Sequence, residues 1–205
     1  MSTVILQRVV PHYRVPLFER LHREFGWIVA TDIARDGRGL NVAQGDPPWL
    51  RRFRFRRSRN HEYRALVPTG AILSALRPQA IISEFSPQLS STWRLSADAL
   101  LGRGGTRKLV YWSQGPNLER GFRGASALGS QALRLALLAP AHAQIVYTPE
   151  GADYLRRRLP GNRPIFVAGN TVDIGAFPGR DIDSSPGNPA EAHLLFVGRL
   201  TPDKR

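Results

Sequence analysis

The chain has 205 residues, 42% of them apolar, enough to bury a sizeable core in one large domain or one and a half. It contains no cysteine, which excludes disulfides and thiolate metal sites and fits a reducing compartment, the cytoplasm being the expected location. No stretch approaches the roughly 18 consecutive apolar residues of a membrane span, and 29 basic against 16 acidic residues leave a net charge of +13, which attracts polyanions.

Met1 to Arg8 has no basic leader ahead of its apolar run, so it is read as structure and not as a signal peptide. Thr3 to Val10 is a β-rich, mostly apolar first strand. Pro11-His12-Tyr13-Arg14 ends it, Pro16 suits the first turn of a helix, and Leu17, Phe18, Leu21 and Phe25 recur at helical spacing until Gly26. Trp27 to Thr31 is a second strand, giving the strand-helix-strand opening of a parallel sheet. Asp36 to Pro48, rich in Gly, Asp, Asn and Pro, is a loop.

Arg51 to Arg59 holds six arginines in nine residues. Read with period two, Arg52, Arg54 and Arg56 share one face of a strand and Phe53 and Phe55 the other. Such a strand serves as a charged sheet edge that blocks aggregation, as a patch for the phosphates of an anionic inner membrane surface, or as a weaker nucleic-acid contact. Leu66 to Leu76 is a short helix, Ala80 to Glu84 a buried strand, and Pro87 opens a helix toward Leu101. Lys108 to Trp112 is the next strand, followed by Ser113 and Gln114 in a loop. A helix runs from Ser126 to Leu138 with Leu128, Leu135 and Leu138 on one face. His142 to Tyr147 is a strand in which His142 packs, and Thr148-Pro149-Glu150 starts a helix whose last turn, Arg156 to Arg158, complements the helix dipole. Pro164 to Ala168 closes the sheet, and Arg180 to Glu191 has the composition of a linker.

The expected architecture is α/β, a Rossmann-like parallel sheet of about six or seven strands with helices on both faces. At the end of the chain the apolar run Leu194 to Val197 reads as one more buried strand, broken at Gly198, with Arg199 and Lys204 in the loop beyond it. In an open α/β sheet that loop faces the ligand crevice, and an Arg fork with a Lys point charge suits a diphosphate.

Phe196-Val-Gly-Arg-Leu-Thr-Pro-Asp-Lys204 resembles the opening of the donor domain in family 4 of the glycosyltransferases, retaining enzymes built of two Rossmann-like domains. Gly169-Asn170-Thr171-Val172-Asp173 resembles the segment where those chains pass between domains, with Thr171 standing where glycine is usual. Arg14-Val-Pro-Leu-Phe-Glu-Arg-Leu resembles their first helix. The resemblance implies an acceptor-side domain over residues 1–178, a linker over 179–192, and the first strand and loop of a truncated donor domain over 193–205.

It further implies that Gly198, Arg199 and Lys204 meet the donor diphosphate and that Asn170 and Asp173 lie between the domains. His12, Tyr13, Arg14, Glu84 and Gln114 are the acceptor-side candidates. Many members carry a glycine pair where His12 and Tyr13 stand and a histidine where Gln114 stands, and an amide cannot take up a proton at neutral pH. No catalytic residue is assigned. The implied reaction is retaining transfer from a nucleotide-diphosphate sugar to a saccharide or lipid-linked acceptor, with no cofactor and no metal. Residues 1–205 alone are expected to bind donor poorly. The alternative reading is a basic polyanion-binding module without catalysis, for nucleic acid or an anionic membrane, although no nucleic-acid motif is present.

Overall fold

The structure, a computed structural model, describes residues 2–33, 45–58, 61–114 and 125–169. The chain divides into two compact units, Met1–Asp173 and Ile174–Arg205, and the described residues belong to the first.

Seven strands form one sheet: β1 (Thr3–Leu6), β2 (Ile28–Asp32), β3 (Leu50–Phe53), β6 (Ala80–Glu84), β7 (Lys108–Ser113), β8 (Ala143–Val146) and β9 (Ile165–Val167). Their order across it is β3-β2-β1-β6-β7-β8-β9, and every pairing is parallel. Two further strands, β4 (Arg56–Ser58) and β5 (His61–Leu66), make a separate antiparallel ribbon. The helices are α1 (Val15–Phe25), α2 (Thr69–Leu76), α3 (Ser90–Leu100), α4 (Ala125–Leu138) and α5 (Pro149–Arg156). This is the expected α/β, Rossmann-like architecture.

Central strands with side chains buried on both faces explain why Thr3–Leu6 and Ala80–Glu84 read as almost continuous apolar runs. Alternate residues go to opposite faces. Ile5, Val29 and Ile82 pack with Phe18 of α1 and with Trp49 and Leu50. Val4, Leu6, Ile81, Leu109 and Tyr111 pack with Ile72 of α2, Leu95 of α3, Leu137 and Leu138 of α4 and Leu155 of α5. Among the described residues one helix therefore covers one face and four cover the other. Right-handed crossovers require this split, because β1 leads to its neighbour on one side while β6, β7 and β8 each lead to the other side.

Local chemistry sets the boundaries. A 3-10 turn, His12–Arg14, feeds α1, Pro16 occupies the first helical turn, and Gly26 closes the helix in the left-handed region at φ 67°, donating its N–H to His22 O. The Thr148 side chain caps α5 by accepting from the Gly151 N–H at 3.1 Å. His142, expected to pack within a strand, is instead exposed just ahead of β8, where its ring accepts the Leu109 N–H through Nδ1 at 3.2 Å at the amino edge of the sheet.

Four expectations need correction. The first strand ends at Leu6, not Val10: the Gln7 N–H still reaches Ala30 O at 3.0 Å, but the next N–H, that of Arg8, turns to the Glu84 carboxylate. The helix expected from Leu66 begins at Thr69; Leu66 belongs to β5, and Pro68 precedes the first turn. Leu128 of α4 is exposed, and Leu135, Leu137 and Leu138 turn inward instead. Arg51–Arg59 is not one strand. The chain leaves β3 after Phe53, and the buried Asp32 carboxylate captures the Phe55 N–H at 3.0 Å, so that β4 starts afresh at Arg56.

Candidate functional site

Sheet order alone locates a crevice. The chain leaves β1 through α1 on one face and leaves β6 through α3 on the other, yet β1 and β6 are neighbours. Loops that part in this way open a gap outside the carboxyl ends of the two strands, where ligands of open α/β sheets bind. The residues delivered there are Gln7 and Arg8 from β1, Glu84 and Phe85 from β6, Trp112 and Ser113 from β7, and Tyr147 just past β8.

Strand alternation sends Gln7, Glu84 and Trp112 to the α1 side, two residues on from Ile5, Ile82 and Val110. Glu84 and Trp112 are register partners. Glu84 accepts three hydrogen bonds from Arg8: the backbone N–H reaches Oε2 at 3.0 Å, and Nε and Nη2 reach Oε1 at 3.0 and 2.6 Å. The Arg8 carbonyl in turn accepts the Thr31 hydroxyl at 3.2 Å. The ends of β2, β1 and β6 are thus tied together at the gap. A carboxylate so fully engaged orients its neighbours and is poorly placed to act as a general base.

Arg14 forms the second element. From the turn before α1 its guanidinium reaches over the sheet end, 5.1 Å from the Trp112 ring and 5.7 Å from the rings of Tyr13 and Tyr147. Nη2 donates to the Tyr147 hydroxyl at 2.7 Å and Nη1 to the Gln7 side-chain oxygen at 3.4 Å. Trp112 and Tyr147 themselves lie 6.2 Å apart. A delocalised, weakly hydrated cation suits such an aromatic setting, and lysine would lose both the stacking and the fork. His12 is exposed at the outer lip, edge-on to Tyr13 at 5.8 Å.

Phe85 turns to the opposite face, where it meets Tyr111 at 5.2 Å and carries the Arg134 guanidinium over its ring, also at 5.2 Å. Burial pulls the Arg134 pKa down from its usual range, and the Tyr154 hydroxyl partly offsets this. The Tyr111 hydroxyl is buried, 2.7 Å from Ser96 Oγ and donating to Thr92 O at 2.9 Å, and loss of solvent pushes its pKa well up despite the serine. This wall is structural.

Of the expected acceptor-side residues, Arg14 and Glu84 share the row, Tyr13 and His12 flank it, and Gln114 is exposed one residue beyond β7. Arg52 is half-buried and held by Asp46 at 3.0 Å and by Gly45 O at 2.8 Å, whereas Arg54 and Arg56 are exposed. Asn170, Asp173, Gly198, Arg199 and Lys204 lie outside the described residues. The sequence reading did not single out Gln7, Arg8, Trp112 or Tyr147 as site residues. Their one signal is a polar or aromatic residue at the end of an apolar run, and that gains meaning only when neighbouring strand ends are known. Among the described residues no cluster of three His, Asp or Glu is placed to hold a metal, and no helix is long and apolar enough to cross a membrane.

The row thus gathers an amide, an indole and a phenol around one guanidinium. A solved structure of a sucrose-phosphate synthase from Thermosynechococcus elongatus is similar over 82% of this chain and 90% of its own, at 17% sequence identity and a TM-score of 0.48. No family model and no curated protein matches the sequence.

Proposed function

We propose that this chain supplies the acceptor side of a retaining sugar transferase of the family 4 type, which moves a sugar from a nucleotide-diphosphate donor to a saccharide or lipid-linked acceptor. The observation that carries the reading is the meeting of two distant segments. Arg14 and Glu84, assigned to the acceptor side by resemblance, come from different crossovers, yet the Arg14 guanidinium stacks on Trp112, the register partner of Glu84. Aromatic faces beside fixed hydrogen-bonding groups are what a sugar ring needs for orientation, since its C–H faces stack and its hydroxyls bond at the edge.

In this reading Arg14, Trp112 and Tyr147 hold the acceptor, and the Arg8–Glu84 pair keeps the strand ends in place. Arg199 and Lys204 receive the donor diphosphate, as the resemblance to the donor-domain opening implies, and neutralise charge that builds on the leaving group. The test is a transfer assay on the whole gene product with UDP-, GDP- and ADP-sugars against saccharide and polyprenyl-phosphate acceptors. Nucleoside diphosphate release and the anomeric configuration of the product are read together. Transfer with retention that falls at least about tenfold in Arg14→Ala supports the reading. Absence of release with every pair contradicts it.

A further inference from the structure

The arginine-rich ribbon sits on the same rim as the crevice. Where it begins, the Phe55 N–H is held by Asp32, the last residue of β2. Where it ends, the Ala65 N–H donates to Gln88 O at 3.3 Å and the Val67 N–H to Ser90 Oγ at 2.8 Å, in the loop between β6 and α3. Phe55, Ala65 and Val67 are buried with the helices of the four-helix face. The ribbon is therefore rooted at the carboxyl ends of the strands, on the far side of the crevice from Arg14.

Its outward residues mix two chemistries. Arg54 and Arg56 are exposed, and Arg56 is the register partner of Leu66, which is 63% exposed. In the first turn of α3, Trp93 is 46% exposed, with its indole N–H already bonded to Pro87 O at 2.8 Å. Exposed Leu and Trp among arginines match the headgroup boundary of a bilayer, where aromatic and aliphatic side chains enter the acyl edge and guanidinium groups stay with phosphate. A nucleic-acid duplex offers the phosphates and leaves the leucine in water.

We propose that this rim, Arg54 just ahead of the ribbon, Arg56 and Leu66 on it and Trp93 in the first turn of α3, the helix whose Ser90 is bonded to Val67 beyond the ribbon's end, is a docking surface for a membrane carrying anionic phospholipid. Docking there turns the carboxyl edge of the sheet, and with it the crevice, toward the lipid. That consequence rests on the sugar-transfer reading, whereas the docking itself is tested without any sugar.

The protein is sedimented with vesicles of phosphatidylcholine alone and with vesicles that also contain phosphatidylglycerol. Binding to the anionic vesicles alone is expected. Arg54→Ala/Arg56→Ala should weaken it on the order of tenfold or more, and Arg54→Lys/Arg56→Lys should largely keep it. Leu66→Ser should weaken it by a factor that added salt does not change, because the lost contribution is apolar. Arg103→Ala/Arg157→Ala removes the same charge from exposed positions at the opposite edge of the sheet and should alter binding less than twofold. Equal binding to neutral vesicles, equal loss in the two alanine pairs, or displacement from anionic vesicles by duplex RNA would overturn the proposal. Vesicle binding without sugar transfer would keep the docking surface and remove the transferase, and transfer without vesicle binding would do the reverse.

Discussion

Arg8 grips Glu84 three times, once through its own backbone N–H and twice through its guanidinium, across the two parallel strands at which the order of connection reverses. The contrast with Arg20–Glu24 is instructive. That pair is as short, 2.7 Å, but lies on the outer surface of α1 with side chains 69% and 39% exposed, against 30% and 26% for Arg8 and Glu84.

A double-mutant cycle to alanine should therefore give a coupling of about 1–3 kcal/mol for Arg8–Glu84 and about 0.5 kcal/mol or less for Arg20–Glu24. Urea unfolding of the wild type and the six variants measures both. Equal couplings would mean that the inner pair is screened like the outer one.

Arg14→Lys keeps the charge but loses the planar stack and the bond to Tyr147. It should cost about 1–2 kcal/mol of stability. It should also shift the Trp112 fluorescence, read as the difference between this variant and Arg14→Lys/Trp112→Phe. Neither change in stability nor in emission would show that the guanidinium does not rest on the indole.

His142 gives a pH signature. Partial loss of solvent, with Lys108 and Arg163 nearby, lowers the pKa of this exposed ring in the folded state, and its Nδ1 must stay unprotonated to accept the Leu109 N–H. The unfolded chain titrates near about 6.5, so below that pH it takes up a proton that the folded form resists. Stability should be flat above the unfolded value and should fall as pH drops from there toward the lower folded value, then level off. His142→Asn should flatten that segment of the profile. A slope of opposite sign would contradict the assignment.

Thr148→Ala removes the cap of α5 and should cost about 1 kcal/mol, with Thr148→Ser restoring most of it. Thermal unfolding of the two variants checks this. The cap was readable from Thr148-Pro149-Glu150 because every contact in it is local.

Other features were legible for the same reason. Ala80–Glu84 is the strand that the sequence indicated, to the residue, because an apolar run between Pro78 and Pro87 leaves no other choice. What could not be read was anything set by partners far along the chain. The alternation of Arg and Phe after Arg51 is real, but Asp32, more than twenty residues earlier, decides where the strand breaks. The ribbon strand His61–Leu66 lacks the alternation of a half-buried strand, and its role follows from the contact of Ala65 with the loop at Leu89. Gln7, Trp112 and Tyr147 become one site only once β1, β7 and β8 are known to be near neighbours. Of the expected acceptor-side residues, Arg14 and Glu84 come into one row because each stands where a strand hands over to a helix.

The most direct measurement is an amide chemical-shift titration of the isotope-labelled protein with the acceptor saccharides of the transfer assay. Shifts should concentrate at Gln7, Arg8, Tyr13, Arg14, Glu84, Trp112 and Tyr147, and Trp112→Ala should abolish them. Shifts gathered instead at the amino edge, around Lys108 and His142, or no shift with any saccharide, would contradict a sugar site at the reversal between β1 and β6.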